Sequence, residues 1–360
     1  MCVDYTSISH HGNLLSNACQ IRRLVREEEL YRYHRITDSD GGHDIVKKDI
    51  KKSNTTTPML TAQVNVTNSS SNITDEDFPY PLTCKKSELH SFLKRNHLNL
   101  STNSTNRKQF NVALTLHVGM VNNWKDIVKD QVNTLKECGL MDIVDKLMIS
   151  YSNGRLDELF QVLDPLLQSN SNGGGGKVDR LNVNVTTVKS FHVPWEGRAM
   201  NMIYEHCNKQ SQPRNAVVFY IHNRGASRWT ADWKEAMNTN KNFTYAHSLY
   251  CRKYLEYFLI ERPALCLDKI LLQSASTCGA NWHPKMQNHY SGNFWSASCK
   301  HIQRLKPLPL KGRKYLAAEK WIGKYPGLRK NQKSHASLHA TNWNVYEHII
   351  KPEEYRNLEI

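Results

Sequence analysis

The stretch NVALTLHVGMVNNWKDIVKDQVNTLKECG, residues 111–139, decides the fold. Its first nine residues are mostly β-branched or apolar and end on Gly119, the pattern of a buried parallel strand. The period then changes. Trp124, Ile127, Val128, Val132 and Leu135 recur at helical spacing, and Gly139 stands where a helix C-cap is expected. The alternation continues downstream. VDKLMISYSNG (144–154) reads as strand and turn, LDELFQVLDPLLQ (156–168) as helix and LNVNVTTV (181–188) as strand. EGRAMNMIYEHCNK (196–209) follows as helix, and AVVFYIHNRGAS (216–227) as a fourth strand ending in a polar turn. Strands and helices in strict alternation imply an α/β fold with a mostly parallel sheet flanked by helices. In such sheets ligands gather at the carboxyl ends of the strands.

Outward from this core the pattern loosens. TADWKEAMNTN (230–240) and 246–272 read as helices, the second interrupted at Pro263. The segment 278–305 is dense in Gly, Asn, His and Trp without a period, and reads as a functional loop region rather than core. SNSNGGGG (169–176) reads as a flexible loop; Lys177 follows it, but the Gly-Lys-Ser/Thr of a phosphate-binding loop is absent. Residues 1–105 are rich in Ser, Thr, Asn and Lys, with a short helix expected over 17–34 and a tract around 51–77 too polar to offset its ordering entropy. The expected division is a stem or linker over 1–105 and one catalytic domain over 106–360.

Composition narrows the partners. The net charge is +15, but the basic residues are scattered (Lys47-Lys48, Lys51-Lys52, Arg304, Lys306, Lys311, Arg313) with no basic helix or RNA-binding aromatic signature. That describes a solvated surface rather than a nucleic-acid-binding one. Nine cysteines offer no C-x-x-C pair and no zinc spacing; their odd number argues against a complete disulfide framework, so several are expected as buried small hydrophobes. No run of 18 apolar residues marks a transmembrane helix, and the N-terminus lacks the basic and apolar regions of a signal peptide. Glycosylation sequons begin at Asn54, Asn65, Asn68, Asn72, Asn99, Asn103, Asn184 and Asn242. The expectation is the secretory pathway (Golgi) if these are used, and the cytoplasm if the N-terminus is complete.

Three stretches carry candidate chemistry. YIHNRGAS places His222, Asn223, Arg224 and Gly225 just past the most apolar strand, where backbone N–H groups and a cation can meet phosphate. Arg224 offers a planar fork for bidentate phosphate contacts. NHYSGNFWSAS (288–298) offers Tyr290, Phe294 and Trp295 as flat faces for a sugar, His289, Ser291 and Asn293 as hydrogen-bonding groups, and Gly292 for close backbone approach. YLAAEKWIG (315–323) sets Glu319 between small residues and Trp321, a setting that raises a carboxyl toward the range of a general base.

With IHNRGAS, CGANWHPKMQNHYSGNFW, YLAAEKWIG and SLHATNWNVYEHI in this order, the chain resembles a family of uncharacterised glycosyltransferases of GT-A-like type. That family ends a strand in Y-I-H-x-K-G and carries H-[YF]-S-G-N-F-W and Y-L-x-x-E-x-W-I segments. The resemblance covers about residues 112–350. Arg224 replaces a common Lys and keeps its charge; Ser296 replaces a frequent Trp in the presumed acceptor wall. It implies transfer of a sugar from a nucleotide-activated donor to a hydroxyl of a glycan, protein or lipid. Val118, Gly119, Ser150, His222, Asn223, Arg224 and Gly225 would hold the donor, with His117 and Tyr151 beside them. Tyr290, Ser291, Gly292, Asn293, Phe294, Trp295 and Trp321 would hold sugar and acceptor, with Glu319 as base and His289 as second choice. The alternative is a catalytically inactive carbohydrate-binding or interaction protein of the same fold. No cofactor is firmly implied. The turn after the fourth strand has no carboxylate for Mn²⁺ or Mg²⁺, which prefer carboxylate oxygens, so metal-independent transfer is expected, with Asp232 as fallback ligand. The histidines 283, 289, 301, 335, 339 and 348 lack Cys or carboxylate partners at zinc spacing.

Overall fold

The computed structural model describes residues 84, 86–99, 108–167, 184–190, 196–226, 245–284, 288–310, 315–324, 334–340 and 349–357. The expected helix at 17–34, most of the expected stem, the 169–176 loop, the helix at 230–240 with Asp232, and His348 lie outside them.

The elements that bear on the site are α1 (Lys86–Arg95), β1 (Asn111–Gly119), α2 (Trp124–Glu137), β2 (Lys146–Ser152), α3 (Leu156–Leu167), β3 (Asn184–Lys189) and α4 (Gly197–Asn208). They continue with β4 (Ala216–His222), α5 (Tyr245–Glu256), β5 (Thr277–Gly279), β6 (Trp295–Ser298) and β7 (His335–Ser337). One seven-stranded sheet runs β3-β2-β1-β4-β6-β5-β7. Strands β3, β2, β1 and β4 pair parallel; β6 is antiparallel to both its neighbours, and β7 pairs parallel to β5. This is the mostly parallel, helix-flanked sheet expected of an α/β fold. The chain leaves β1 toward β2 on one side and reaches β4 on the other, so the β1/β4 boundary is the sheet's switch point, the place at the carboxyl ends where open α/β sheets form their ligand crevice.

The strand period of two sorts β1 between two cores. Val112, Leu114, Leu116 and Val118 enter the larger one, with Ile127, Val128, Val132 and Leu135 of α2, Leu159 and Leu163 of α3, and Tyr254 and Leu255 of α5. Ala113 enters the other, with Met200, Ile203 and Cys207 of α4, and Trp295, Ile302 and Trp321. Gly139, at φ +82, supplies the left-handed residue that ends α2, as its position in the sequence implies. The helix after residue 245 stops at Arg262 (φ −124), because the ring of Pro263 disfavours helical geometry in the residue before it. Helix α1 precedes the composition boundary at 105, yet its Leu89, Phe92 and Leu93 belong to the larger core.

Two expectations are corrected here. The segment 278–305 is not loop: β5 and β6 are sheet strands, and Cys278, Ala297 and Cys299 are wholly buried. Its residues are too small and polar to show strand periodicity, but β6 needs little bulk because both of its edges are hydrogen-bonded. The cysteines are mostly paired rather than free: Cys84–Cys138, Cys207–Cys299 and Cys266–Cys278 are disulfides, and among the described residues only Cys251 is a free thiol, buried. Their Cα separations of 5.2, 4.8 and 5.4 Å suit such bonds, and spacing in the sequence has no access to that proximity.

Candidate active site at the switch point

Register builds the site. In the β1–β4 ladder His117 lies beside His222, and in the β1–β2 ladder His117 lies beside Ser150. Three polar residues thus meet at the carboxyl ends of adjacent strands, on the face covered by α4. His117 Nδ1 pairs with Ser150 Oγ at 2.5 Å. His222 donates from Nε2 to the Gly292 carbonyl at 2.8 Å, so in its neutral form the lone pair sits on Nδ1. Burial pushes His117 down to about 4 against the raising influence of Glu196, and it lowers His222 as well, so both rings are uncharged at neutral pH.

Glu196, the residue before the first turn of α4, enters this group from above. Its Oε2 accepts from Tyr220 Oη at 2.7 Å and from Asn293 Nδ2 at 2.5 Å. Burial alone would raise this carboxyl, but the neighbouring His222 and His117 and the two hydrogen bonds outweigh it and hold the group below the usual carboxylate range. The left-handed pair Gly292 (φ +66) and Asn293 (φ +57) aims Asn293 at Glu196, and Asn293 Oδ1 is held in turn by Trp295 Nε1 at 2.9 Å. A side chain at 292 would run into Leu255, and the Arg224 guanidinium lies within contact distance of the same position.

Arg224 follows β4 in a turn completed by Gly225 at φ +96. It hydrogen-bonds the buried Cys251 thiol, and its charge reaches His222 and Glu319. Glu319 is half-buried, and burial followed by the negative charge of Glu196 raises its carboxyl, against the opposing pull of Arg224 and Lys320. Two carboxylates with opposite shifts and one guanidinium therefore share one end of the sheet. Pairs of acids pushed apart in this way mark acid–base centres.

The structure brings together Ser150, His222, Arg224, Gly292, Asn293 and Glu319 from the sequence-derived set. Others it uses differently. Asn223 and Gly119 satisfy each other: Asn223 Oδ1 accepts from the Gly119 N–H at 2.8 Å and Asn223 Nδ2 donates to the Gly119 carbonyl at 2.8 Å. The Gly119 N–H is thereby taken, and the Val118 side chain lies in the larger core. Tyr290, Phe294, Trp295 and Trp321 have no face open to a sugar, with 0–1% of their surface exposed. Tyr290 Oη is engaged by Thr277 and the Ala336 carbonyl, and Trp321 Nε1 donates to the Lys306 carbonyl. They are aromatic core, the reason sequence alone cannot separate from a sugar platform. Ser291 is buried and held by Asn281 and His283. The His289 ring lies tilted beside His283, and burial, with His283 and Lys320 nearby, lowers it to about 4. Glu196 is the residue that sequence reading passed over: it opens an ordinary amphipathic helix, and its partners lie 24 and 97 positions away.

Below the site, Gln131 donates to the His222 carbonyl at 3.0 Å and to Glu256 Oε1 at 2.8 Å. Glu256 and Asp130 are tied to Arg252 and Lys253 in a buried ionic cluster that locks α2 to α5. Among the described residues no group of three or more His, Cys, Asp or Glu side chains is placed to hold a metal ion.

Residues 110–311 match the family described as Domain of unknown function (DUF8361), over more than half of the chain. The chain belongs to this family. The match spans β1 to β6 and so includes every element of the DUF8361 site except the Glu319 segment. No curated protein matches this DUF8361 chain. Among solved structures it is similar to a glucosyl-3-phosphoglycerate synthase of M. tuberculosis, at 11% identity and a TM-score of 0.35 over 74% of this chain and 78% of that one. It is also similar to a 4-diphosphocytidyl-2C-methyl-D-erythritol synthase of Anaerococcus prevotii DSM 20548, at 9% identity and a TM-score of 0.30 over 67% and 90%. Scores this low carry no information on reaction or ligand.

Proposed function

We infer that this DUF8361 protein is a glycosyltransferase, moving a sugar from a nucleotide-activated donor to a hydroxyl of a glycan, protein or lipid acceptor. The observation behind this reading is that Arg224, just past the switch-point strand β4, is near enough for its charge to act on Glu319, a carboxyl of raised proton affinity. Glu319 takes the proton of the acceptor hydroxyl, whose oxygen attacks the anomeric carbon. The bond from that carbon to the donor diphosphate breaks, and Arg224 receives the departing charge. With His222-Asn223-Arg224 after β4 in place of a carboxylate pair, the charge neutralisation falls to the guanidinium and transfer proceeds without a divalent ion.

The secretory pathway is the proposed location. Three disulfides join the sequons in favouring an oxidising compartment. No described helix is long and apolar enough to cross a membrane.

The test is a thermal-shift screen of the full chain against UDP-glucose, UDP-N-acetylglucosamine, UDP-galactose, GDP-mannose, GDP-fucose and CMP-sialic acid, followed by hydrolysis and transfer assays with the stabilising donor. Ligand at about 100 times its Kd stabilises by about 2.7 kcal/mol, and Arg224→Ala is expected to abolish the shift. Glycan binding with no response to any nucleotide sugar would replace the transferase by a carbohydrate-binding protein. Activity that vanishes with EDTA and returns with Mn²⁺ would overturn the metal-independent step.

A further inference from the structure

Glu196 has features that a purely structural carboxylate does not need. Its two hydrogen bonds both arrive on Oε2, while Oε1 has no hydrogen bond among the described residues and is not sealed from solvent. Among those residues no lysine or arginine forms a salt bridge with it, and its immediate neighbours are the His117 and His222 rings. An ionised carboxylate offers acceptor lone pairs only. Held in a half-buried site without an ion-pair partner, it seeks O–H or N–H donors. It stands at the head of α4, where the helix dipole favours negative charge, and at the switch-point crevice.

We propose that Glu196 is a binding residue for the transferred sugar: anchored through Oε2 by Tyr220 and Asn293, it presents Oε1 to one or two sugar hydroxyls beside the reacting carbon. The proposal rests on the transferase reading and deepens it, because Arg224 then holds the diphosphate half of the donor and Glu196 the sugar half. The anchoring suits the task. Tyr220 is a wholly buried residue of β4, and Asn293 is fixed by Trp295 of β6, so the carboxylate is oriented from two adjacent strands of the sheet. A hydroxyl paired with an ionised carboxylate makes a charge-assisted bond, the kind that discriminates between sugars differing at one position.

The experiment compares wild type, Glu196→Gln and Tyr220→Phe for stabilisation by UDP or GDP alone and by the matching nucleotide sugar. The expected result is that Glu196→Gln keeps the affinity for the nucleoside diphosphate and weakens the nucleotide sugar by about 10- to 100-fold, the loss of one charge-assisted hydrogen bond. Tyr220→Phe, which frees Oε2 but keeps the charge, should lose part of that discrimination. If Glu196→Gln binds the nucleotide sugar as tightly as wild type, the proposal fails and the transferase reading stands. If both ligands weaken equally in both variants, Glu196 is a structural group and the proposal also fails. If wild type responds to no nucleotide and no nucleotide sugar, the transferase reading itself falls and takes the proposal with it.

Discussion

Glu319 and Glu196 are the same side chain in two surroundings, and their division of labour follows from those surroundings. Glu319 has been pushed up by burial and then by the charge of Glu196; Glu196 is drawn down by its donors. A base works only when deprotonated. Because the Glu319 carboxyl is raised, the acid limb of kcat/KM should lie above the ordinary carboxylate range, with activity falling as pH falls through it. Glu319→Gln should lower kcat by about 10²- to 10⁴-fold and abolish that limb. Undiminished transfer by the variant would exclude the base role. At this scale the sequence is half legible. Small neighbours flagged Glu319 and a strand end flagged Arg224, because both signals are local. Glu196 is defined by Tyr220 and Asn293, and no local signal exists for a partner 97 residues away.

Among the elements, the end of β1 and the end of β4 are joined by a side chain acting as a peptide group. The Asn223 amide pairs with both the N–H and the carbonyl of Gly119 and carries the ladder one step past the last backbone pair. It also sets the direction of the turn in which Arg224 sits. Asn223→Ala should cost about 1–3 kcal/mol, since it strands two backbone groups, and Asn223→Asp should fare no better because it loses the donor. Urea unfolding reads the loss, and an unchanged midpoint would show that the pairing contributes nothing. Strands β1 to β4 and their helices were readable in the sequence because long apolar runs alternate with helical periods. Strand β6, four residues of Trp, Ser, Ala and Ser, was not, because its place depends on the neighbours that hydrogen-bond it rather than on its own composition.

On the scale of the molecule, buried neutral imidazoles make the fold sensitive to acid. His117 and His301 are 5% and 2% exposed, and burial holds each near a pKa of about 4. An unfolded histidine takes a proton from about pH 6.5 downward, whereas these do so only near 4. In that interval the unfolded chain binds more protons, so stability falls as pH falls, by up to about 1.4 kcal/mol per pH unit for each ring. The lowered Glu196 carboxyl adds a loss of the same sign only further down, where an unfolded glutamate begins to take its proton. Tm should drop by several degrees between pH 7.5 and pH 5, and His301→Gln, which removes one titrating ring outside the site, should flatten the slope. A Tm that does not vary over this range would contradict the assignment. None of this burial is visible in a chain whose mean hydropathy, −0.62, is averaged over residues 1–105 as well.

The pairing order of the cysteines bears on how the chain must be made. Cys266 and Cys278 are successive thiols 12 residues apart and can close as soon as both have emerged from the ribosome. Cys207 cannot follow that rule. Its partner Cys299 comes after Cys251, Cys266 and Cys278, so pairing with whichever thiol appears first would trap Cys207 on Cys251. Correct oxidation therefore requires either that β4 and α5 fold early enough to bury Cys251, or that a disulfide isomerase revises the first choice. Yield of native protein from an oxidising host should accordingly rise when Cys251 is replaced by Ser or Ala.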